Sequence, residues 1–100
     1  MTQEIRWERE GDTLHLRGIL EQDTLLPLWE ARHEAIAGLR SMELSGLQRV
    51  DTAGLALLIQ FVALVKAQGQ RLMLEGSSDN LLTLAKLYNL PENVMPLPAS

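Results

Sequence analysis

The chain has 100 residues, with 9 Lys and Arg against 13 Asp and Glu, a formal net charge of −4. That length supports one hydrophobic core, and the acidic balance argues against nucleic acid, whose binders carry a surplus of cations on one face. The absence of Cys excludes disulfides, thiolate metal sites and a Cys nucleophile, while 46% hydrophobic and 22% charged residues describe a globular chain rather than a disordered one.

Residues 1–10 carry charges of both signs and no apolar stretch of the signal-peptide kind. Within them Ile5 and Trp7 alternate with charged neighbours and predict a first strand. Arg9 interrupts its apolar side, so the strand is expected to end near there. Gly11-Asp12 is a turn signal, and residues 13–20 alternate again, with Leu14 and Leu16 on one side. The short connection makes the two strands a hairpin. Asp23 and Thr24 are cap candidates for a first helix running to about residue 39, with Pro27 in its first turn. At about 100° per residue, Leu25, Leu28, Trp29, Ala35, Ile36 and Leu39 share one face, and Arg32 falls in the middle of it.

Residues 41–45 predict a short strand built on Met42 and Leu44. Asp51-Thr52 caps a long helix over residues 53–68, stopped by Gly69. Its apolar stretch, residues 55–65, is interrupted by Gln60 and is well short of the roughly 20 residues of a membrane span. Residues 70–75 form a last strand and residues 79–89 a last helix, with Leu81, Leu84, Ala85 and Tyr88 read as mostly core. The order is β-β-α-β-α-β-α, an antiparallel hairpin followed by a parallel crossover, hence a mixed sheet with helices packed on it. Residues 1–92 read as a single domain and residues 93–100 as a Pro-rich, loosely ordered tail.

The segment Val50-Asp51-Thr52-Ala53-Gly54-Leu55 carries the most information. Asp51 and Thr52 suit a helix N-cap. Gly54 does not, because Gly inside a helix costs about 1 kcal/mol against Ala. It implies close approach by a neighbouring element or by a partner. The apolar residues of the same helix cover more than half its circumference, wider than the stripe of an ordinary surface helix. The remaining face, Ala53, Ala56, Gln60, Ala63 and Ala67, is small and uncharged. It reads as intramolecular helix packing ahead of a docking surface. Trp29 reads as a core side chain or as a half-exposed anchor. Arg32 beside it favours the anchor, since an unpaired buried Arg is costly and Trp and Arg are enriched at binding hot spots. Trp7 reads as core. Catalytic equipment is sparse: His15 and His33 fall on different elements, and no Gly-rich phosphate loop or metal-spaced cluster is present.

The element order, with Asp51-Thr52-Ala53-Gly54-Leu55 opening the central helix, resembles the STAS-domain family. That family includes anti-sigma-factor antagonists and the cytoplasmic domains of sulfate transporters, and its motif here is Asp-Ser-Ser/Ala-Gly-Leu. Leu26-Pro27-Leu28-Trp29-Glu30, the run from Val50 through Leu58, and Leu84-Ala85-Lys86-Leu87-Tyr88-Asn89-Leu90-Pro91 resemble the branch that supplies a small subunit to a bacterial phospholipid ABC transporter. The resemblance spans the chain up to Asn93. It implies an α/β, STAS-like mixed four-stranded sheet with three main helices. It implies a non-enzymatic accessory subunit, without cofactor, that binds the ATPase subunit of a complex also holding permease and substrate-binding subunits. The chain would then be cytoplasmic and peripheral to the inner membrane. Thr52 matches the Ser phosphorylated in the antagonists, so the resemblance gives partner contact, and possible phosphorylation, to Thr52. Asp51 and Gly54 stand beside it, with Trp29 and Arg32 as the second contact. The alternative it leaves is an anti-sigma-factor antagonist in a phosphorylation-controlled partner switch. A third class is a small hydrolase using Thr52.

Overall fold

Strands β1 (Ile5–Glu10) and β2 (Thr13–Leu20) meet antiparallel across the Gly11-Asp12 turn. The computed structural model describes residues 4–76 and 78–97. Helices α1 (Leu26–Glu30) and α2 (Arg32–Ile36) return the chain to β3 (Ser41–Val50), which lies parallel to β2. Helix α3 (Thr52–Ala67) leads to β4 (Met73–Glu75), parallel to β3, and α4 (Asp79–Leu87) follows. The sheet order is β1-β2-β3-β4, the mixed four-stranded sheet expected from the sequence. One face of the sheet supplies Leu14, Leu16, Met42, Leu44 and Leu74 to a core completed by Leu28, Ile36, Leu55, Leu58, Phe61 and Val65 from the helices. The other face carries Arg6, Glu8, His15, Arg17, Glu43 and Glu75, which are exposed or half-buried.

Four boundaries differ from expectation, each for a physical reason. The strand β1 continues through Arg9, because its guanidinium folds back to donate to the carbonyls of Gly11, Ala35 and Ala37. The first helix is broken at Ala31 (φ −89°, ψ 9°). Its predicted caps do not cap it: Thr24 Oγ1 instead closes the preceding turn, accepting from Glu21 N–H at 2.9 Å and donating to the Ile19 carbonyl at 2.7 Å. The strand β3 extends to Val50. Two register shifts against β2 give β3 one extra residue between Glu43 and Gly46 and another between Leu47 and Arg49. These bulges set the buried residues Leu44, Leu47 and Val50 three apart, which hides a strand from a reading of strict alternation. The last strand is shorter than expected, pairing only Met73–Glu75 with the start of β3.

The C-terminal part of the molecule also differs. Of the residues in α4 only Leu81 is fully buried; Leu87 is 72% exposed and Tyr88, just past the helix, 51%. Most of this helix is therefore surface, not core. Asn89, in the left-handed region (φ 52°), follows it. Residues 93–97, expected as loose tail, send Met95 into the core and rest Leu97 against it; residues 98–100 lie outside the described ones. Trp7 is only half-buried against the core.

On the open face Glu43 Oε1 accepts the Ser45 N–H at 2.7 Å. Hydrogen bonding from Ser45, with a smaller contribution from nearby His15, holds the Glu43 carboxyl below the usual carboxylate range, against a partial desolvation that raises it. A depressed carboxylate contributes stability above its unfolded pKa and loses it as pH falls through the folded value. Thermal melts from about pH 6 to about pH 3 should therefore fall less steeply for Glu43→Gln than for the parent. Equal slopes would remove Glu43 from the account of acid sensitivity.

Candidate partner-binding site

The site is built where β2 and β3 end. Asp51 leaves β3 in extended backbone (φ −102°, ψ −173°), and its N–H donates to the Leu20 carbonyl at 3.3 Å. Both carboxylate oxygens are then engaged. Oδ1 accepts the Gly54 N–H at 2.8 Å, capping α3, and Oδ2 accepts the Gln22 N–H at 3.0 Å from the turn after β2. The turn is held a second time by Glu21, whose carboxylate accepts from Arg49 Nη2 at 3.0 and 3.1 Å. Below, Val50 N–H donates to Asn80 Oδ1 at 2.6 Å, which ties α4 to the same corner.

This wiring separates the motif residues into roles. Gly54 is buried, and a Cβ built on it would run into the Leu20 carbonyl oxygen. Its missing side chain lets α3 sit directly on the end of β2. Of the two close approaches that Gly54 implied, the structure shows the internal one, to the end of β2. Asp51 is likewise committed to two amides of its own chain and acts as a positioning residue. Thr52 is exposed at the first position of α3. Neither His15 nor His33 shares a hydrogen bond with Asp51 or Thr52 among the described residues.

Along α3, Ala56, Gln60, Ala63 and Ala67 are exposed as well, and Ala53 is half-buried. The expected internal packing on this face is absent among the described residues. The sheet, α2 and α4 cover the Leu, Phe and Val sides of α3 and leave the alanine side open. From Thr52 to Val65 the helix carries no charge. The result is a smooth uncharged surface beginning at a hydroxyl.

The second expected contact, Trp29 with Arg32, is brought together at the end of α1. The break at Ala31 resets the helical phase, so Arg32 is not in the core. Its guanidinium lies 4.2 Å from the centroid of the Trp29 ring, and Nη1 donates to the Trp29 carbonyl at 3.0 Å. That satisfies a carbonyl at the end of α1 and holds the indole half-exposed by cation–π attraction. Leu26, 57% exposed, extends this surface. It had been legible as the leucine outside the helix's apolar stripe. A further hollow of about 730 Å³ opens at the far end of α3, between Val62, Lys66, Arg71, Leu72, Asn93 and Pro96. It escaped the sequence reading because the C-terminal segment that walls it was expected to be loose.

With this geometry in hand, comparison with known proteins is specific. A family model described as "Mlab, STAS domain" matches residues 4–97. Two curated relatives, from Escherichia coli (strain K12) and Shigella flexneri, are each 52% identical over 96% of this chain and 99% of their own length. A third, from Haemophilus influenzae, is 34% identical over 88% of this chain and 93% of its length. All three are named intermembrane phospholipid transport system binding protein MlaB. A solved chain described as "Crystal Structure Analysis of Mglu" matches 74% of this chain and 20% of its own length, with TM-score 0.55 and 24% identity, a likeness of fold alone.

Proposed function

The chain belongs to the MlaB STAS-domain family, and from that premise we propose that it is a non-catalytic accessory subunit of a phospholipid-transport ABC complex, docking on the ATPase subunit through the face that begins at Thr52. The observation that carries this reading is the uncharged, exposed side of α3, held rigid from beneath by Asp51 and Gly54. Small side chains let a partner's backbone come close, and a face already fixed in place gives up little entropy on binding. The Trp29–Arg32 stack supplies an aromatic anchor of the kind that concentrates binding energy. No described helix is long and apolar enough to cross a membrane. The chain reaches the inner membrane through its protein partner, on the cytoplasmic side, alongside permease and substrate-binding subunits.

The test is co-expression with the ABC ATPase of the same transport system and capture on a tag carried by this chain. A stoichiometric complex is expected. Failure of the two folded proteins to co-purify would overturn the reading. Within it, Trp29→Ala should weaken the complex by about tenfold, in the range for loss of one interface aromatic. Because the indole also rests on the core, circular dichroism must show the variant folded. A folded variant that binds as tightly as the parent would take Trp29 out of the interface.

A further inference from the structure

Among the described residues the strand β1 has a neighbour on one side only. Which of its backbone groups face outward follows from two observations. Glu4 accepts the Ile19 N–H at 3.2 Å, and Glu10 and Thr13 close a two-residue hairpin. Both place the even-numbered residues of β1 toward β2, because in an antiparallel ladder a residue's N–H and C=O point the same way and alternate along the strand. The N–H and C=O groups of Ile5, Trp7 and Arg9 therefore point away from the sheet, and they have no partner among the described residues. On the open face, Arg6 lies opposite Arg17 of β2, whose guanidinium is engaged by Glu8 at 3.2 Å. Arg6 thus meets a like charge on the side where the sheet continues.

We propose that β1 is a self-complementary edge: two copies of this chain join their β1 strands antiparallel about a two-fold axis through Trp7, making one continuous sheet. The register follows from charge and hydrogen bonding together. Outward-pointing backbone must meet outward-pointing backbone, so odd residues pair with odd. An axis through Trp7 sets Trp7 opposite Trp7 and Ile5 opposite Arg9. It also sets Arg6 of each copy opposite Glu8 of the other, twice. An axis through Arg6 or Glu8 instead sets like charges directly opposite each other, which destabilises a pair. The Arg9 guanidinium does not obstruct the edge, since three carbonyls of its own chain hold it. The alternating charges that deter strands of other sequence are satisfied by a second copy in this one register. No residue of the Thr52 face takes part, so the proposal stands apart from the ATPase reading.

Sedimentation equilibrium on the full chain, from micromolar to millimolar concentration, tests it. A monomer–dimer equilibrium is expected. Arg6→Glu, a change at an exposed position, should raise the dimer dissociation constant about tenfold by turning two attractions into two repulsions. The exchange Arg6→Glu/Glu8→Arg restores complementarity and should return the constant to within about threefold of the parent. Register is read in the naturally cysteine-free chain. A mixture of the Arg6→Cys and Glu8→Cys variants should cross-link faster than either alone, since directly opposed Cα atoms lie within disulfide reach. A chain that stays monomeric at millimolar concentration, a dimer indifferent to Arg6→Glu, or faster cross-linking within one variant would each overturn the proposal.

Discussion

Gly54→Ala is expected to lower the melting temperature by about 10 °C, although helix propensity alone predicts a gain. Replacing a helical Gly by Ala is worth about 1 kcal/mol in favour of the helix. Here the added methyl meets the Leu20 carbonyl oxygen, with the carbonyl carbon at 2.9 Å and Leu20 Cγ at 3.0 Å. The oxygen cannot rotate away, because it belongs to the end of β2 and already accepts the Asp51 N–H. Helix and strand must separate, at an overpacking cost of about 3 kcal/mol, the upper part of the usual range. The net loss of about 2 kcal/mol corresponds to about 10 °C in a domain of this size. Ala56→Gly, on the exposed side of the same helix, is the control and should lose only about 1 kcal/mol. Calorimetry on the two variants checks both. A Gly54→Ala chain more stable than the parent would show that α3 does not rest on the strand this closely.

Thr52→Asp is expected to separate folding from docking, because its two effects have opposite signs. A carboxylate in the first turn of a helix interacts favourably with the helix dipole, by about 0.5 kcal/mol at an exposed site. The free chain should melt at or slightly above the parent temperature. In the complex the same carboxylate would be buried beside Asp51, whose two oxygens are already engaged, and no cation on the first three turns of α3 stands near to pair with it. Burying it unpaired costs about 3 kcal/mol or more, so affinity for the ATPase subunit should fall at least about a hundredfold. Parallel melting and capture measurements check this. Unchanged affinity in a folded Thr52→Asp chain would move the docking face away from the start of α3.

How far the residues announced this arrangement depends on which interactions are local. The cap at Asp51 and the close approach at Gly54 are properties of four consecutive residues, and both were legible in the chain. That the close approach is to Leu20 rather than to a partner was not, since it requires knowing that β2 ends beneath α3. Arg32 in the middle of an apolar stripe was a real signal, read as favouring a half-exposed Trp29 but not as a break in the helix. It marks the break at Ala31, where the helical phase resets, and the same break brings the guanidinium onto Trp29. The length of β3 was hidden by its two bulges, whose pairing with β2 cannot be seen in β3 alone. The open alanine face was the least accessible feature. Small residues suit tight internal packing and a docking surface equally well, and only the positions of α2 and α4 decide between them.

The hydrogen bond from Val50 N–H to Asn80 has a consequence for the energetic hierarchy of the molecule. Local opening is least costly where few apolar side chains are buried. Helix α4 buries Leu81 fully and little else, whereas α3 buries seven residues along its length. Partial unfolding that begins with α4 would withdraw Asn80 and leave the last amide of β3 without its acceptor, directly before Asp51. The proposed docking face is therefore joined, through one side-chain carbonyl, to a helix that buries a single side chain fully. A partner that stabilises the α3 corner in its native form would slow the amide exchange of residues in α4 that it never touches.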